Sequence, residues 1–214
     1  MHSVGEKFNL DTYIKTRQLT REAVESAALL IVPGTNQAEG QKIIKTELEK
    51  RGMTERWHPT KLRIGPDTLK TFSQKADQLI RLKENDLFFI DVGPIFEQHE
   101  GDYGQTYTVG SNSQFEELAA AARDIFIEVQ GHWRAAGISG IELYKIAAHE
   151  AAKRGLELNT KMDGHRLGDF PHGLFHKGSL IDCSETPIQN VWVLEILLKD
   201  PKQNLGSFFE DILI

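Results

Sequence analysis

Two neighbouring stretches of strand character each carry one aspartate at an end, and they constrain the fold more than any other part of the chain. Residues 87–90 form an apolar run typical of a buried strand, and residues 106–109 are rich in β-branched and aromatic side chains. Asp91 ends the first strand and Asp102 begins the second. A carboxylate buried beside apolar side chains is unfavourable unless its charge is compensated, commonly by a divalent metal ion. The alternative is that Asp102 makes a turn with Gly101 and that Asp91 accepts a hydrogen bond at a strand end.

Composition restricts the class of protein. The chain has 214 residues, 40% of them hydrophobic and 26% charged, which is enough apolar material for a sizeable core. A net charge of −6 argues against nucleic acid or an anionic membrane as the main partner. The single cysteine, Cys183, excludes an internal disulfide and a thiolate zinc cluster. We expect one domain over residues 1–214, and the single cysteine favours a reducing cytoplasm. No apolar run reaches membrane-spanning length, and residues 1–7 lack the pattern of a signal peptide.

Hydrophobic periodicity and helix-terminating residues predict four helices. They cover residues 11–32, the stretch from a cap at Thr35 or Asn36 to Arg51, residues 115–136, and residues 141–154 after a cap at Ser139. Between the second and third helices, residues 57–67 have an extended pattern followed by a turn, and residues 68–84 have the polar pattern of mixed helix and loop.

The second and fourth helices resemble each other in sequence. The interval from Gly34 to Gly52 equals the interval from Gly137 to Gly155, and aligning these glycines matches several charged positions of the two helices. The correspondence indicates a duplicated half-domain, with a site at the junction of the two halves. The alternative is that two amphipathic helices with glycine stops are similar by chance.

Strands and loops follow the fourth helix, and two of the strands contain an acid. Residues 190–198 form a strongly apolar strand interrupted only by Glu195, and residues 208–214 repeat the arrangement with Glu210. Together with Asp91, Asp102 and one imidazole, these acids would form an oxygen-rich site suited to two divalent ions of the manganese, cobalt, iron or zinc type.

Each of these residues also has an ordinary structural explanation. Glu195 could pair with an arginine, and Glu210 could be a solvated charge at a sheet edge. The histidines at 165, 172 and 176 could each be surface or capping residues. The argument for a metal site therefore depends on the order and spacing of the whole set.

That order resembles one known family. The chain presents Asp91, Asp102, the pair Gly164-His165, His172, Glu195 and Glu210. The set is similar to that of the pita-bread metallopeptidases, which include methionine aminopeptidases, aminopeptidase P, prolidases and creatinase. The resemblance covers essentially the whole chain, as a catalytic domain alone. It implies an α/β (α+β) fold in which a curved, mainly antiparallel sheet is flanked by helices, with a pseudo-twofold internal duplication.

The resemblance also implies a role for each residue. The ligands of two divalent ions would be Asp91, Asp102, His165, Glu195 and Glu210, with Asp102 and Glu210 bridging the ions. His172 resembles the family histidine that contacts the substrate or stabilises the tetrahedral intermediate. Glu195 could in addition accept a proton from the attacking water.

Several positions depart from the family pattern. Arg166 follows His165 where the family often has glycine, Gly173 follows His172 where it often has glutamate, and Ile196 follows Glu195 where it often has proline. A family histidine expected near residues 72–74 is missing, and His58 is a candidate to replace it as a catalytic residue. The proposed ligands are intact, so these departures concern the substrate.

Three functions are therefore considered. The first is a metal-dependent peptidase that acts on peptide N-termini or dipeptides, closest to the Xaa-Pro type, with a small peptide as substrate and a homodimer as a plausible assembly. The second is a creatinase-like hydrolase of a non-peptide C–N bond, which the intact ligand set disfavours. The third is a pita-bread module that binds proteins without catalysis, which the intact acids also disfavour.

Overall fold

The computed structural model describes residues 3–214, and within them the chain forms the four expected helices. They are α1 (Leu10–Leu30), α2 (Gln37–Lys50), α3 (Ser113–Ala136) and α4 (Gly140–Lys153). Each helix begins after a side chain that accepts a hydrogen bond from a backbone N–H of the first turn. These capping residues are Asn9, Asn36, Asn112 and Ser139.

Two antiparallel sheets account for the strands of the described residues. The strands are β1 (Glu55–Arg56), β2 (Lys61–Ile64), β3 (Asp86–Val92), β4 (Pro94–Phe96), β5 (His99–Glu100), β6 (Tyr103–Val109), β7 (Glu157–Leu158), β8 (His165–Arg166), β9 (Trp192–Asp200) and β10 (Leu205–Ile212). The main sheet has the order β2-β3-β6-β10-β9-β7, with β8 added on β9, and the smaller sheet has the order β1-β4-β5.

The main sheet has one face covered by helices and one face that carries the acids. On β3, Phe88 and Ile90 pack into the large core that also contains residues of α1, α2, α3 and α4. Phe89 alternates with them and packs on the other side of the sheet against Phe208 and Leu197. Side chains alternate between the faces of a strand, so Asp91 lies on the same face as Phe89.

The internal repeat seen in the sequence is a structural repeat. Helices α2 and α4 each begin with a capping box, closed by Glu39 in α2 and by Glu142 in α4. The four glycines that flank these helices all have positive φ. Inward from one edge of the main sheet the strands are β2, β3 and β6, and inward from the other edge they are β7, β9 and β10. The expected α/β pita-bread architecture with a pseudo-twofold duplication is therefore confirmed.

The two halves of the main sheet meet between β6 and β10. These strands pair only at Gln105 with Phe209 and at Gly104 with Glu210. By contrast, β3 pairs with β6 from Asp86 to Val92, along the whole of β3. The junction between the halves is therefore the shortest ladder at the centre of the sheet.

One expectation for the first half needs correction. Residues 68–84 contain no α-helix; a short 3-10 turn, Gly65–Leu69, leads into irregular chain. The buried guanidinium of Arg63 donates to the carbonyl oxygens of Thr71 at 2.8 Å and Gln74 at 2.5 Å, and these bonds hold the chain in a non-helical path. The connection between β3 and β6 contains the short strands β4 and β5.

The predicted extent of the domain, residues 1–214, includes two residues that lie outside the described part. Among residues 3–214, none of the helices combines the length and apolar character needed to cross a membrane.

Candidate metal centre

One transverse row of the main sheet carries three of the predicted acids. From β2 to β9, the residues paired across the strands are Lys61, Asp91, Gly104, Glu210 and Glu195. Residues opposite one another on antiparallel strands project to the same face, so the acids of the row converge. Only glycine fits in the middle of the row, since a Cβ at Gly104 would lie 2.3 Å from a ring carbon of Phe208 and 3.2 Å from Oε2 of Glu210. Asp102 precedes Gly104 by two residues and adds a fourth acid on this side.

His165 brings a nitrogen to these acids from β8. Its Nδ1 lies 3.0 Å from the carbonyl oxygen of Arg166, a contact in which Nδ1–H is the donor. Its Nε2 lies 2.9 Å from Oδ2 of Asp102 and 4.0 Å from Oε1 of Glu210. With the proton on Nδ1, a neutral ring would turn a bare nitrogen toward a carboxylate oxygen. Such a contact needs a positive charge shared by the two groups, either a second proton or a metal ion.

His58 approaches the other carboxylate oxygen of Asp102 from the connection between β1 and β2. Its Nε2 lies 3.5 Å from Oδ1 of Asp91 and 3.5 Å from Oδ1 of Asp102. Its Nδ1 lies 3.1 Å from the carbonyl oxygen of Pro59, so the proton of the neutral ring is again directed away from the acids. The two imidazoles therefore flank Asp102 with the same orientation.

Glu195 is held by the backbone rather than by a basic side chain. The N–H of Gly164 donates to its Oε2 at 2.8 Å. Within residues 3–214, no lysine or arginine forms an ion pair with Asp91, Asp102, Glu195 or Glu210; the ion pairs of these acids are with His58 and His165. The alternative explanation that Glu195 pairs with an arginine is not supported by this geometry.

Mutual repulsion and burial perturb the acids. Burial, opposed by His58 and reinforced by the charges of Asp102 and Glu195, raises the pKa of Asp91 to about 7. Burial and the same neighbouring carboxylates hold the pKa of Glu210 well above its ordinary value. Asp102 behaves differently: burial acts to raise its pKa, but the contacts with His165 and His58 outweigh burial and lower it.

The pKa values of the two imidazoles are also raised, although burial acts to lower them. Burial acts to lower the pKa of His165, but its contact with Asp102 outweighs burial and raises that pKa to about 9. For His58, burial is likewise outweighed by the carboxylates of Asp91 and Asp102, and the pKa is raised. Without other cations, the centre therefore holds its charge balance by retaining protons.

The donor set fits divalent metal ions. Donor atoms of His58, Asp91 and Asp102 all lie within 4.8 Å of one another, and so do donor atoms of Asp102, His165 and Glu210. Oε2 of Glu210 is buried and has no hydrogen-bond partner among the described residues. Asp102 belongs to both groups, an arrangement suited to two adjacent ions that share a carboxylate.

His172 lies beside this centre, as the sequence predicts. Its ring is stacked on that of His165 with centroids 5.4 Å apart. The indole of Trp57 contacts His58, His165 and His172 edge to face, at centroid distances of 4.3, 5.3 and 4.9 Å. The residues from distant parts of the sequence that were expected to form one site are therefore adjacent in the structure.

Two residues of the site were missed in the sequence. Glu100, on β5, accepts two hydrogen bonds from His172, and Trp57 packs against all three imidazoles. The signal for Glu100 is a second acid in the short segment Glu100-Gly101-Asp102, which was treated only as a connection. The signal for Trp57 is its position directly before His58.

Comparison with known sequences gives relatives of one kind. A methionine aminopeptidase of Pyrococcus horikoshii is 27% identical over 159 residues, which are 74% of this chain and 52% of that protein. A methionine aminopeptidase of Archaeoglobus fulgidus is 25% identical over 154 residues, 72% of this chain and 51% of that protein. The chain thus spans about half the length of the curated relatives it matches.

Solved structures with a similar fold cover nearly the whole of this chain. A methionine aminopeptidase from Thermotoga maritima superposes with a TM-score of 0.79 at 13% identity, covering 99% of this chain and 94% of that one. An X-Pro aminopeptidase from the same organism gives a TM-score of 0.74 at 16% identity, covering 96% of this chain and 59% of that one. The model of metallopeptidase family M24 matches residues 12–211, a range that includes every acid and imidazole of the centre. The chain belongs to metallopeptidase family M24.

Proposed function

We propose that this chain is a peptidase that uses two divalent metal ions to hydrolyse the bond after the first residue of a small peptide, including the single bond of a dipeptide. The observation that carries the proposal is the row formed by Asp91, Glu210 and Glu195, with Asp102 and His165 beside it. Membership of a metallopeptidase family supports the same class of reaction.

Five residues would hold the ions, which we expect to be of the manganese, cobalt, iron or zinc type. They are Asp91, Asp102, His165, Glu195 and Glu210; Asp102 belongs to both groups of donor atoms, and Glu195, which is in neither group, lies opposite Glu210 on the neighbouring strand. When bound, such a pair supplies Lewis acidity, which makes a water more acidic and polarises a carbonyl group. The remaining chemistry is the work of the side chains around it.

Glu195 and His172 are the proposed proton-handling residues. Glu195 is oriented by the N–H of Gly164 and accepts the proton that the attacking water releases. His172 keeps Nδ1 on Glu100, which leaves Nε2 for the substrate. Glu100 thereby holds the ring in one orientation, in which Nε2 can contact the substrate oxygen that becomes negatively charged.

The substrate preference is a separate question. We propose an Xaa-Pro preference, in line with the resemblance of the ligand pattern, and the fold of an X-Pro aminopeptidase supports it. Methionine-first peptides are the second candidate, because the sequence relatives are methionine aminopeptidases. The residues that depart from the family pattern, Arg166 and Gly173, lie next to His165 and His172 and are placed to influence this choice.

A panel of substrates tests both levels of the proposal. The protein is stripped with a chelator, reloaded separately with Mn²⁺, Co²⁺, Fe²⁺ or Zn²⁺, and assayed on Xaa-Pro dipeptides, Xaa-Pro tripeptides and methionine-first tripeptides. We expect release of the first residue with at least one metal and at least a 100-fold loss in Asp102→Asn. Asp124→Asn, on the exposed surface of α3, is the matched control and should retain full activity.

The outcomes separate the three functions. Release from Xaa-Pro substrates alone supports the finer proposal, and release only from methionine-first peptides replaces it. Metal binding without release from any peptide overturns the peptidase proposal in favour of another C–N hydrolase or a binding module. Light scattering of the same sample tests the proposed homodimer.

A further inference from the structure

We propose that His58 is a sixth metal ligand, which gives the ion beside Asp91 a nitrogen donor of its own. The five ligands implied by the resemblance include one imidazole, His165, and the sequence indicates His58 as a candidate catalytic residue rather than a ligand. The inference rests on the metal pair of the proposed function, and its test needs no peptide.

The imidazole of His58 is oriented as a ligand. Its Nδ1 is engaged by the carbonyl oxygen of Pro59 at 3.1 Å, which leaves the lone pair of Nε2 directed at the acids. Metal-binding histidines usually donate their other ring N–H to such an oxygen, which fixes the tautomer and the ring plane. His165 shows the same arrangement, with Nδ1 on the carbonyl oxygen of Arg166 at 3.0 Å.

The distances from Nε2 favour a shared ion over direct hydrogen bonds. Nε2 lies 3.5 Å from one oxygen of Asp91 and 3.5 Å from one oxygen of Asp102. Good N–H···O hydrogen bonds are about 2.7–3.2 Å long, so both contacts are long for hydrogen bonds. Two donors that each lie about 2.1 Å from one tetrahedral ion are about 3.4 Å apart. The observed spacing therefore suits three donors around a single cation.

The surrounding backbone makes room for the ring. A Cβ on Gly93 would lie 2.1 Å from Cδ2 of His58 and 2.4 Å from its Nε2, so only glycine at this position admits the imidazole. Trp57 and Phe72 contact the ring edge to face, at centroid distances of 4.3 and 5.4 Å. The ring is thus fixed on several sides, as a metal ligand must be.

A second imidazole changes the preference of the pair among metals. Asp91 and Asp102 alone would offer the first ion only oxygen, which suits manganese, whereas imidazole suits zinc and iron. With His58 on one ion and His165 on the other, each ion has one nitrogen donor. We therefore expect this protein to discriminate against Mn²⁺ at both positions.

The test is metal titration of chelator-stripped protein by calorimetry, in the absence of peptide. Wild-type protein should bind two Zn²⁺ ions. His58→Phe keeps an aromatic ring beside Trp57 and should lower the affinity for one of the two ions at least about tenfold. Loss of a residue that only hydrogen-bonds to a ligand already lowers metal affinity about 10- to 100-fold. The same variant should lose less affinity for Mn²⁺ than for Zn²⁺. His149→Phe, on the exposed side of α4, is the control.

A second route guards against misfolding of that variant. Crystals of the wild-type protein grown with Co²⁺ should show an anomalous peak within about 2.1 Å of Nε2 of His58. If His58→Phe binds two ions with wild-type affinity, the inference is overturned. A peak near Asp91 that lies more than about 3 Å from Nε2 would also overturn it, and His58 would then remain a candidate catalytic residue. Two bound ions, one of them held by His58, with no peptide cleaved would support this inference and overturn the proposed function alone.

Discussion

Nδ1 of His172 lies 2.8 Å from Oε2 of Glu100, and the backbone N–H of the same histidine donates to Oε1 at 3.1 Å. Glu100 is almost fully buried, with 1% of its surface exposed, and it sits on β5 two residues before Asp102. Because the same strand region carries a proposed ligand and the partner of His172, the histidine is held in a fixed relation to the metal centre.

Glu100→Gln should lower peptidase activity without removing metal. A neutral amide is a weaker acceptor for Nδ1–H than a carboxylate, and its NH₂ group can reverse the direction of the bond to Nδ1. We expect kcat to fall about 10- to 100-fold. Steady-state kinetics and metal analysis of the same sample measure both quantities.

The control for this variant is Glu97→Gln, in the same hairpin. The side chain of Glu97 is 65% exposed and pairs with Lys15 on the surface, where an ion pair contributes little. Its kinetics should match wild type. Equal losses in both variants, or unchanged kinetics in Glu100→Gln, would contradict the positioning role of Glu100.

The stability of the metal-free protein should fall as pH rises. The pKa of Asp91 is about 7 in the folded protein, against an ordinary value of 3.8 for an aspartate in the unfolded chain, so between these values the folded state binds more protons than the unfolded state. The raised pKa values of Glu210, His58 and His165 act in the same direction, and that of His165 extends the window to about pH 9.

Urea denaturation in EDTA at pH 5 and pH 8.5 measures this dependence. We expect a lower midpoint at pH 8.5, and a smaller difference between the two pH values in Asp91→Asn. Saturating Zn²⁺ should reverse the order, because ligands must lose their protons before they bind metal. A midpoint that rises with pH in EDTA would refute the assignment.

Glu210→Gln should stabilise the metal-free protein and weaken its response to metal. Removing one of four clustered carboxylates relieves repulsion, since the pKa of Glu210 is already held high by its neighbours. In EDTA at pH 8, thermal unfolding should occur at a higher temperature than in wild type. With metal at 100 times Kd, wild type should gain about 2.7 kcal/mol per ion, a gain that the variant loses at least in part.

Glu157→Gln on β7 serves as its comparison. That side chain is 61% exposed and pairs with Lys199 at the sheet edge. It should match wild type with and without metal. A Glu210→Gln protein that unfolds earlier than wild type in EDTA would show that the carboxylate stabilises the sheet through contacts other than metal.

Two helical glycines should respond oppositely to alanine. A Cβ on Gly131, within α3, would meet nothing within 4 Å, so Gly131→Ala should stabilise the fold by about 0.5–1 kcal/mol. A Cβ on Gly140, at the start of α4, would lie 2.0 Å from the carbonyl oxygen of Leu180, and Gly140→Ala should cost about 1–3 kcal/mol. Chemical denaturation of the two variants gives both values, and a shift of the same sign in both would contradict the packing described.

The local chemistry of the chain made the helices predictable. Asn36 and Ser139 cap the starts of α2 and α4, and glycines with positive φ follow α2, α3 and α4. The residues next to these helices therefore indicate where the helices begin and end. The acids were predictable because Asp91, Glu195 and Glu210 interrupt apolar strands, where a charge is conspicuous. Their order along the chain then indicated the family.

The arrangement of those acids in space could not be read from the sequence. Placing Asp91, Gly104 and Glu210 in one row requires the register of β3, β6 and β10, which depends on contacts between distant segments. The position of His58 and the bond from His172 to Glu100 depend on the same long-range packing. Residues 68–84 were misjudged for a related reason, since Arg63 outside that segment determines its path.

The short ladder between β6 and β10 gives bound cations a mechanical role. Asp91 and Asp102 come from one half of the sheet and Glu195 and Glu210 from the other, so a cation pair would link the two halves beside a ladder of only two residue pairs. Binding of the ions should therefore reduce local opening at the junction of β6 and β10 more than in any helix. The backbone amides of residues 104–105 and 209–210 should show the fastest hydrogen exchange once a chelator has removed the ions.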